Sequence, residues 1–530
     1  MNVLLLSMPD SFEHTPSITM RMPNGALASL AGNVDSHHQV AVADLVLAQH
    51  DVPGTLRRLV ASHAPDVVGL SIMTFQRHTA RKVIAHVRAL RPGVHVVVGG
   101  YDPSLAPEAY EGASSGVDAI VRGEGDITFR EWLRAIESGG GRESIAGVSY
   151  RDGGCWVRNP ARSVSHLNGD VRPPNRAARV LTGYTLLGRP VDIVETSRGC
   201  TYDCSFCSII EMRGRNFHTW TIDRVIADIA DARARGARAI FMVDDNITLN
   251  VARFRRLCDE IVRARLNDVD YIVQGMTSAM VAGGDDLARA MRDAGFRYVF
   301  LGIENVLDAD LAFLKARAKN AERHGGRAVG NATTEAVNIL HRHGMLVVGG
   351  LIVGNPGDTR ESIDANLAFA REFVDWPYIQ HPTPYPGTPM TRDFREKDLI
   401  VNDDVAEYDG TTAVVRTETL DAEEIEFMRW RAERWMKVRH FPTALRHDPA
   451  FVTRHARRMM AHTFRGSTLR TWLGLEDERA AFRRYKAIRR AERDFFSESP
   501  EPAPAANAGA DAGTRTRTMN QEPEPGTMNH

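Results

Sequence analysis

The sequence predicts an α/β protein: two successive parallel sheets, each interleaved with helices, followed by a helical region. Three observations carry this. Short continuous apolar runs rich in Val, Ile and Leu recur between helical stretches, the pattern of strands covered on both faces. The alternation runs twice, over residues 1–135 and again over 185–395, with a stretch rich in Gly, Arg, Asn and Pro between. Beyond residue 420 only the helical period remains.

In the first series, residues 2–7, 40–45, 66–73, 94–100 and 118–122 read as strands, and 79–90 as the clearest helix. This is a doubly wound, Rossmann-like domain, whose ligands sit at the carboxyl ends of the strands. Residues 136–184 read as a linker with a small hairpin around 147–157. Strands at 191–196, 239–244, 270–275, 298–304, 346–353 and 378–381 then alternate with helices such as 222–235 and 251–265. Six βα units make a partial (β/α)6 barrel; eight units would need more chain. Residues 396–496 form a mostly helical C-terminal region. Its residues 429–494 hold 18 Lys/Arg against 7 Asp/Glu, together with Trp430, Trp435, Phe441, Phe464, Trp472 and Phe482. That composition has two readings: a solvated face with aromatics buried against the barrel, or a surface for an anionic or membrane-borne substrate. From 497 to 530 the chain is rich in Pro, Ala, Glu and Thr, the composition of a disordered tail.

Charge and hydropathy narrow the function. Lys+Arg is 66 and Asp+Glu 67, a net charge of −1, which argues against a whole-protein nucleic-acid binder. No apolar run reaches the roughly 18 residues of a membrane span. The longest, 345–354, is broken by glycines, and Val3 to Leu6 is too short for a secretory signal. A cytoplasmic protein is expected. Of five cysteines, three fall within eight residues, which suits a metal site in a reducing compartment better than a disulfide scaffold.

Those three are Cys200, Cys204 and Cys207, spaced C-x3-C-x2-C in a loop that leaves a strand. Thiolates are soft ligands suited to iron–sulfur clusters. Three of them hold three irons of a [4Fe–4S] cluster and leave the fourth iron open for chemistry. A zinc knuckle would need a further ligand, and His218 is the only one nearby. Cys155 and Cys258 are expected to be inert, Cys258 within an apolar helical pattern. His218, His343 and His381 read as structural histidines. His381 and Tyr385 are the catalytic candidates, because they sit at a barrel strand end.

With Phe206 as the aromatic of C-x3-C-x-aromatic-C, residues 185–395 resemble the radical S-adenosylmethionine (SAM) superfamily. The resemblance implies that SAM chelates the open iron and is cleaved to a 5′-deoxyadenosyl radical. It also implies SAM contacts at Phe206, at Asp244 and Asp245 after the second strand, at Glu304 after the fourth, and at Gly350 and Gly354 along the fifth. The plainer alternatives are helix caps for the two aspartates and turn chemistry for the Gly-Pro pair.

A doubly wound domain ahead of such a barrel resembles the cobalamin-binding radical SAM enzymes of the class B methyltransferase type. The resemblance rests on residues 67–71, 97–103 and 118–125. It implies cobalamin contacts at Ser71, Thr74, Gly99, Gly100, Gly123 and Glu124. A cobalt-ligating D-x-H-x-x-G is missing: the loop Met8 to His14 does not fit it, and Asp35-Ser-His37 lacks the glycine. A structural domain without cofactor is the alternative.

The function so implied is methylation of an unactivated carbon in a small molecule or a lipid or natural-product intermediate. A flavodoxin- or ferredoxin-type donor would supply electrons. The alternatives are a cyclase or rearrangement enzyme of the same family, or a non-catalytic cobalamin- or SAM-binding module. No nucleic-acid partner or membrane span is expected; peripheral membrane contact is compatible with the basic C-terminus.

Overall fold

A computed structural model describes residues 1–12, 17–112, 114–164, 167–324 and 327–496. The expected disordered tail and His14 lie outside the described residues.

The first sheet contains β1 (Asn2–Ser7), β2 (Gln39–Asp44), β3 (Val67–Ser71), β4 (His95–Gly99), β5 (Ala119–Val121), β6 (Val148–Asp152) and β7 (Cys155–Arg158). Its order is β2-β1-β3-β4-β5-β6-β7. The first five strands are parallel and the last two antiparallel. The chain starts in the middle and reverses direction between β1 and β3, so a crevice opens there at the carboxyl ends of the strands. Alternate side chains sort to the two faces. Leu4 and Leu6 pack with the helices Val52–His63 and Arg77–Leu90, while Val3 and Leu5 pack with Gly25–Asn33 and Gly125–Ser138. The hairpin expected inside a linker is the antiparallel edge of this sheet. Val148 and Tyr150 are buried, and the Tyr150 ring lies 5.8 Å from that of Trp132. Burying that alternate face gives the hairpin its place.

The second sheet contains β8 (Arg189–Val194), β9 (Ala239–Met242), β10 (Asp270–Met276), β11 (Phe296–Glu304), β12 (Leu346–Ile352) and β13 (Trp376–Gln380). All are parallel and in chain order. β13 and β8 do not pair, so the sheet curls without closing, as six βα units should. Two short strands, Met20–Arg21 and Thr185–Leu186, extend its β8 side antiparallel. The segment before the first helix therefore joins the second sheet, which ties the two domains together.

The C-terminal helices include Ala422–Arg439, Pro449–Thr463 and Glu478–Glu492. Phe427, Trp430, Ala481, Phe482 and Tyr485 form an apolar cluster of this region's own, instead of packing on the barrel. Trp435 and Trp472 are half exposed, at 50% and 55%. Among the described residues no helix is long and apolar enough to cross a membrane.

Candidate active site

The cysteine loop leaves the carboxyl end of β8 and is fastened to the neighbouring strand end by Asp244. This carboxylate accepts from Thr196 N at 2.6 Å, Thr196 Oγ1 at 2.5 Å and Ser197 Oγ at 2.6 Å. Asp244 is 1% exposed, and burial pushes its carboxyl up to about 6. It positions the loop; it does not cap a helix, since Asn250 caps Val251–Arg263. Asp245 accepts from Gly199 N at 2.7 Å and Arg213 Nη1 at 3.1 Å. Gly199 has φ +86°, and a methyl there would lie 2.4 Å from Asn216 O, so only glycine fits beside Cys200.

The three thiols form no disulfide. Cys204 is buried, and Cys200 and Cys207 are half-buried. Burial pushes the thiol of Cys204 up to about 12 and that of Cys207 up to about 11. The protein alone thus leaves these two protonated, and a bound metal must draw the protons off. Donors within 4.8 Å of one another, the spacing for a single ion, are found among the described residues at His37, His38 and Glu137, not at the cysteines. Soft donors set wider apart than one ion requires fit a multi-iron cluster. Asn246, next after Asp245, places Nδ2 3.6 Å from Cys200 Sγ and 3.1 Å from Met276 Sδ.

The other residues the resemblance implied lie along the barrel's later strands and the loops beside them. Phe206 and Tyr385 pack on one apolar cluster containing Leu311, Leu314, Ile352 and Met390. Glu304 takes the left-handed conformation, φ +61°, which is rare for a side chain of its length. Its Oε1 lies 2.5 Å from Lys319 Nζ. Lys319 in turn sits 5.8 Å from the centre of the Phe206 ring. The sequence offers no signal for Lys319, one cation in an ordinary charged stretch. A methyl on Gly350 would lie 2.9 Å from the Phe300 ring. Gly354 N donates to Asp358 Oδ2 at 2.7 Å.

The two catalytic candidates part company. His381 is 2% exposed; its Nδ1 lies 3.0 Å from Val353 O and its Nε2 3.2 Å from Arg429 Nε. Nδ1–H must donate and Nε2 must accept, so the ring is neutral and fixed. Tyr385 lies on the Phe206 side, and burial pushes its phenol well above the usual range. His218 pairs with Arg198 in a two-stranded ribbon, and His343 Nε2 lies 2.9 Å from Asp285 Oδ1. Cys155 is exposed and Cys258 fully buried.

A cavity of about 640 Å3 opens at the carboxyl ends of the first sheet and reaches the cysteine loop's neighbours. Ser71, Gly99, Gly100, Gly123 and Glu124 line one side; Glu195, Arg198, Arg213 and Asp245 line the other. Thr74 stands apart, buried in the turn Thr74–Gln76. Gly100 has φ +103°, and a methyl there would lie 2.7 Å from Ile72 O, so its own neighbouring strand end demands glycine. This wall of glycine and backbone suits a large flat ligand.

Arg198 spans the two domains. It donates to Asp126 Oδ2 at 2.6 Å and Glu195 Oε2 at 2.8 Å, and lies 3.9 Å from Glu124 Oε1. Burial pushes Asp126 up, but Arg198 beside it prevails and holds the carboxyl below the usual range. Burial raises Glu195 in spite of the same guanidinium. Both Glu195 and Arg198 belong to the run that ends in Cys200; the cysteines drew attention from them.

A B12-binding domain model matches residues 17–133, and a radical SAM superfamily model matches 194–370. The chain is 27% identical over 427 residues to an uncharacterized methyltransferase of Pyrococcus horikoshii, covering 80% of this chain and 90% of that protein. It is 24% identical over 415 residues to an anaerobic magnesium-protoporphyrin IX monomethyl ester cyclase of Cereibacter sphaeroides, covering 76% of this chain and 63% of that one. Among solved structures, the radical SAM methyltransferase TsrM of Kitasatospora setae, with cobalamin and a [4Fe–4S] cluster bound, superposes with a TM-score of 0.60. The identity there is 21%, and 75% of each chain is covered. With both domain models in this order and the cysteines at the barrel's first strand end, the chain joins a B12-binding domain to a radical SAM domain, and its residues suit a [4Fe–4S] cluster, SAM and cobalamin.

Proposed function

We propose that the protein methylates an unactivated carbon of a small-molecule or lipid-like substrate, acting in the cytoplasm with a flavodoxin- or ferredoxin-type electron donor. The observation that carries this reading is the cavity lined on one side by the first sheet's carboxyl ends and on the other by Glu195, Arg198 and Asp245, with Arg198 bound across it to Asp126. When bound, the cluster with SAM supplies a carbon radical and the cobalamin a transferable methyl group.

The chain's own residues divide the work. Cys200, Cys204 and Cys207 hold the cluster, and Asp244 and Asn246 orient their loop. Phe206, Asp245, Glu304, Gly350 and Gly354 form the SAM side. Ser71, Gly99, Gly100, Gly123 and Glu124 form the cobalamin wall, and Thr74 lies buried in the turn that follows β3. The apolar cluster under Phe206 and Tyr385 excludes water from the reacting centre. His381 positions the loop after β12 through Val353.

The test is anaerobic reconstitution with iron and sulfide, then incubation with SAM, reductant and cobalamin. Deoxyadenosine, S-adenosylhomocysteine and a bound corrinoid spectrum together support methyl transfer, and a product heavier by one methylene completes it. Deoxyadenosine without bound corrinoid overturns it. A second reading, ring formation, is favoured by the cyclase relative; a product without methyl gain selects it.

A further inference from the structure

Exposed apolar side chains are unevenly spread over the molecule. Of twelve large hydrophobic side chains exposed among the described residues, nine lie between Trp435 and Ile488. The densest group is Leu469 at 74%, Trp472 at 55%, Leu473 at 62% and Leu475 at 65%, four within seven residues. Single exposed apolar residues are ordinary, whereas a concentrated group marks a contact surface.

The group is an ordered feature. The Trp472 ring lies 4.4 Å from Phe464, and Phe464 lies 6.5 Å from Trp435, so three aromatics link the loop to the helix Ala422–Arg439. Arg434 stacks on Trp430 at 4.1 Å and on Phe464 at 5.2 Å, bracing the row from beneath. Thr468 and Thr471 cap the short turn Leu469–Trp472, and both hydroxyls donate to Glu476 Oε2.

The charge around it has one sign. Residues 439–475 contain seven arginines (439, 446, 454, 457, 458, 465 and 470) and one acid, Asp448. Asp448 caps Pro449–Thr463 and pairs with Arg189, so it is spoken for. Arg454, Arg457, Arg458 and Arg470 are exposed and make no ion pair among the described residues. Arg454, Arg457 and Arg458 follow the i, i+3, i+4 spacing of one helix face. Met460, 44% exposed, continues that face.

We infer that this region docks on an anionic lipid bilayer, with Leu469, Trp472, Leu473 and Leu475 entering the interface and the arginines meeting the headgroups. Protruding leucines with an interfacial Trp supply apolar burial. Each arginine near an anionic surface adds electrostatic attraction that salt screens. A protein partner would meet the same apolar group, but the excess of unpaired arginines over acids selects an anionic sheet. The inference stands independently of methyl transfer.

The test is flotation of reconstituted full-length protein with vesicles of phosphatidylcholine alone or with 30% phosphatidylglycerol. The expected result is at least tenfold more protein with the anionic vesicles, lost in 0.5 M NaCl. Two variants should each lower flotation about tenfold while keeping the circular dichroism spectrum and bound iron: Leu469→Ser/Leu473→Ser/Leu475→Ser and Arg457→Glu/Arg458→Glu. Equal or absent flotation with both vesicle types overturns the inference. So does a concentration-dependent dimer that the leucine variant abolishes, because a second copy would then be the occupant.

Discussion

The molecule presents two parallel sheets that face one cavity and serve it in opposite ways. The barrel contributes side-chain chemistry: Glu195, Arg198, Arg213 and Asp245 line its side of the cavity, and Asp245 holds the cysteine loop through Gly199 N. The first sheet contributes mostly backbone: Ser71, Gly99, Gly100 and Gly123 form a smooth wall, edged by the carboxylates of Glu124 and Asp126. A cluster is held by bonds to particular atoms, so its site leaves a residue-level signature. A broad macrocycle is held by shape, and its site appears only once the strands are assembled. The join between the two is Arg198, a barrel residue whose 2.6 Å hydrogen bond reaches Asp126 of the other domain.

The largest effect should come from the barrel. Cys204→Ala is expected to abolish deoxyadenosine formation and lower bound iron, measured by iron assay and chromatography. Corrinoid binding should persist, because the first sheet's wall is untouched. Joint loss of iron and corrinoid would break the contrast and make the two sites one folding unit.

Arg198→Ala attacks the join. Arg198 and Asp126 have side chains only 6% exposed each, so the variant removes the cation beside a buried carboxylate. Breaking such a pair costs roughly 3–5 kcal/mol. The expected outcome is a lower thermal midpoint and corrinoid affinity at least tenfold weaker, with iron content kept. Unchanged corrinoid affinity would mean that each sheet holds its cofactor alone.

The same contrast explains what could be read from the sequence. All six barrel strands and the five parallel strands of the first sheet were visible, because continuous β-branched runs between helices leave few other folds. The cysteine loop was visible because its ligands lie within eight residues. Lys319 was not, since its meaning comes from a contact with Glu304, 15 residues away along the chain. The hairpin Val148–Arg158 was seen, yet its membership of the first sheet was not, because only the assembled edge at β5 gives it a partner. His381 looked catalytic from its position; Arg429, which fixes its tautomer, comes from a helix 48 residues downstream.

Lys319→Met probes the barrel's charge more gently. The pair's side chains are 15% and 10% exposed, more open to water than those of Arg198, so the stability cost should be about 1–3 kcal/mol. The specific readout is the reduction potential of the reconstituted cluster, followed by electron paramagnetic resonance. Removing a cation near Phe206 should lower it by on the order of tens of millivolts. An unchanged potential alongside lost stability would leave Lys319 as a partner for Glu304 and nothing more.

The smallest effect compares one buried aspartate from each region. Asp10 follows β1 and accepts from Thr79 Oγ1 at 2.9 Å; burial pushes its carboxyl up to about 6. Asp310 lies in the barrel, where burial and then the neighbouring Asp358 push it up to about 7. Both values exceed the 3.8 of the unfolded chain, so the native state binds the extra proton. The stability each contributes is full below pH 4 and is lost as pH rises, through 6 for Asp10 and through 7 for Asp310. The wild type should therefore lose thermal midpoint between pH 5 and 8. Asp10→Asn and Asp310→Asn should each recover about 1–2 °C of that loss. Asp310→Asn should recover more, because it removes a carboxylate that faces another, whereas Asp10 has only burial to overcome. Equal recovery would assign both shifts to burial and remove Asp358 from the account.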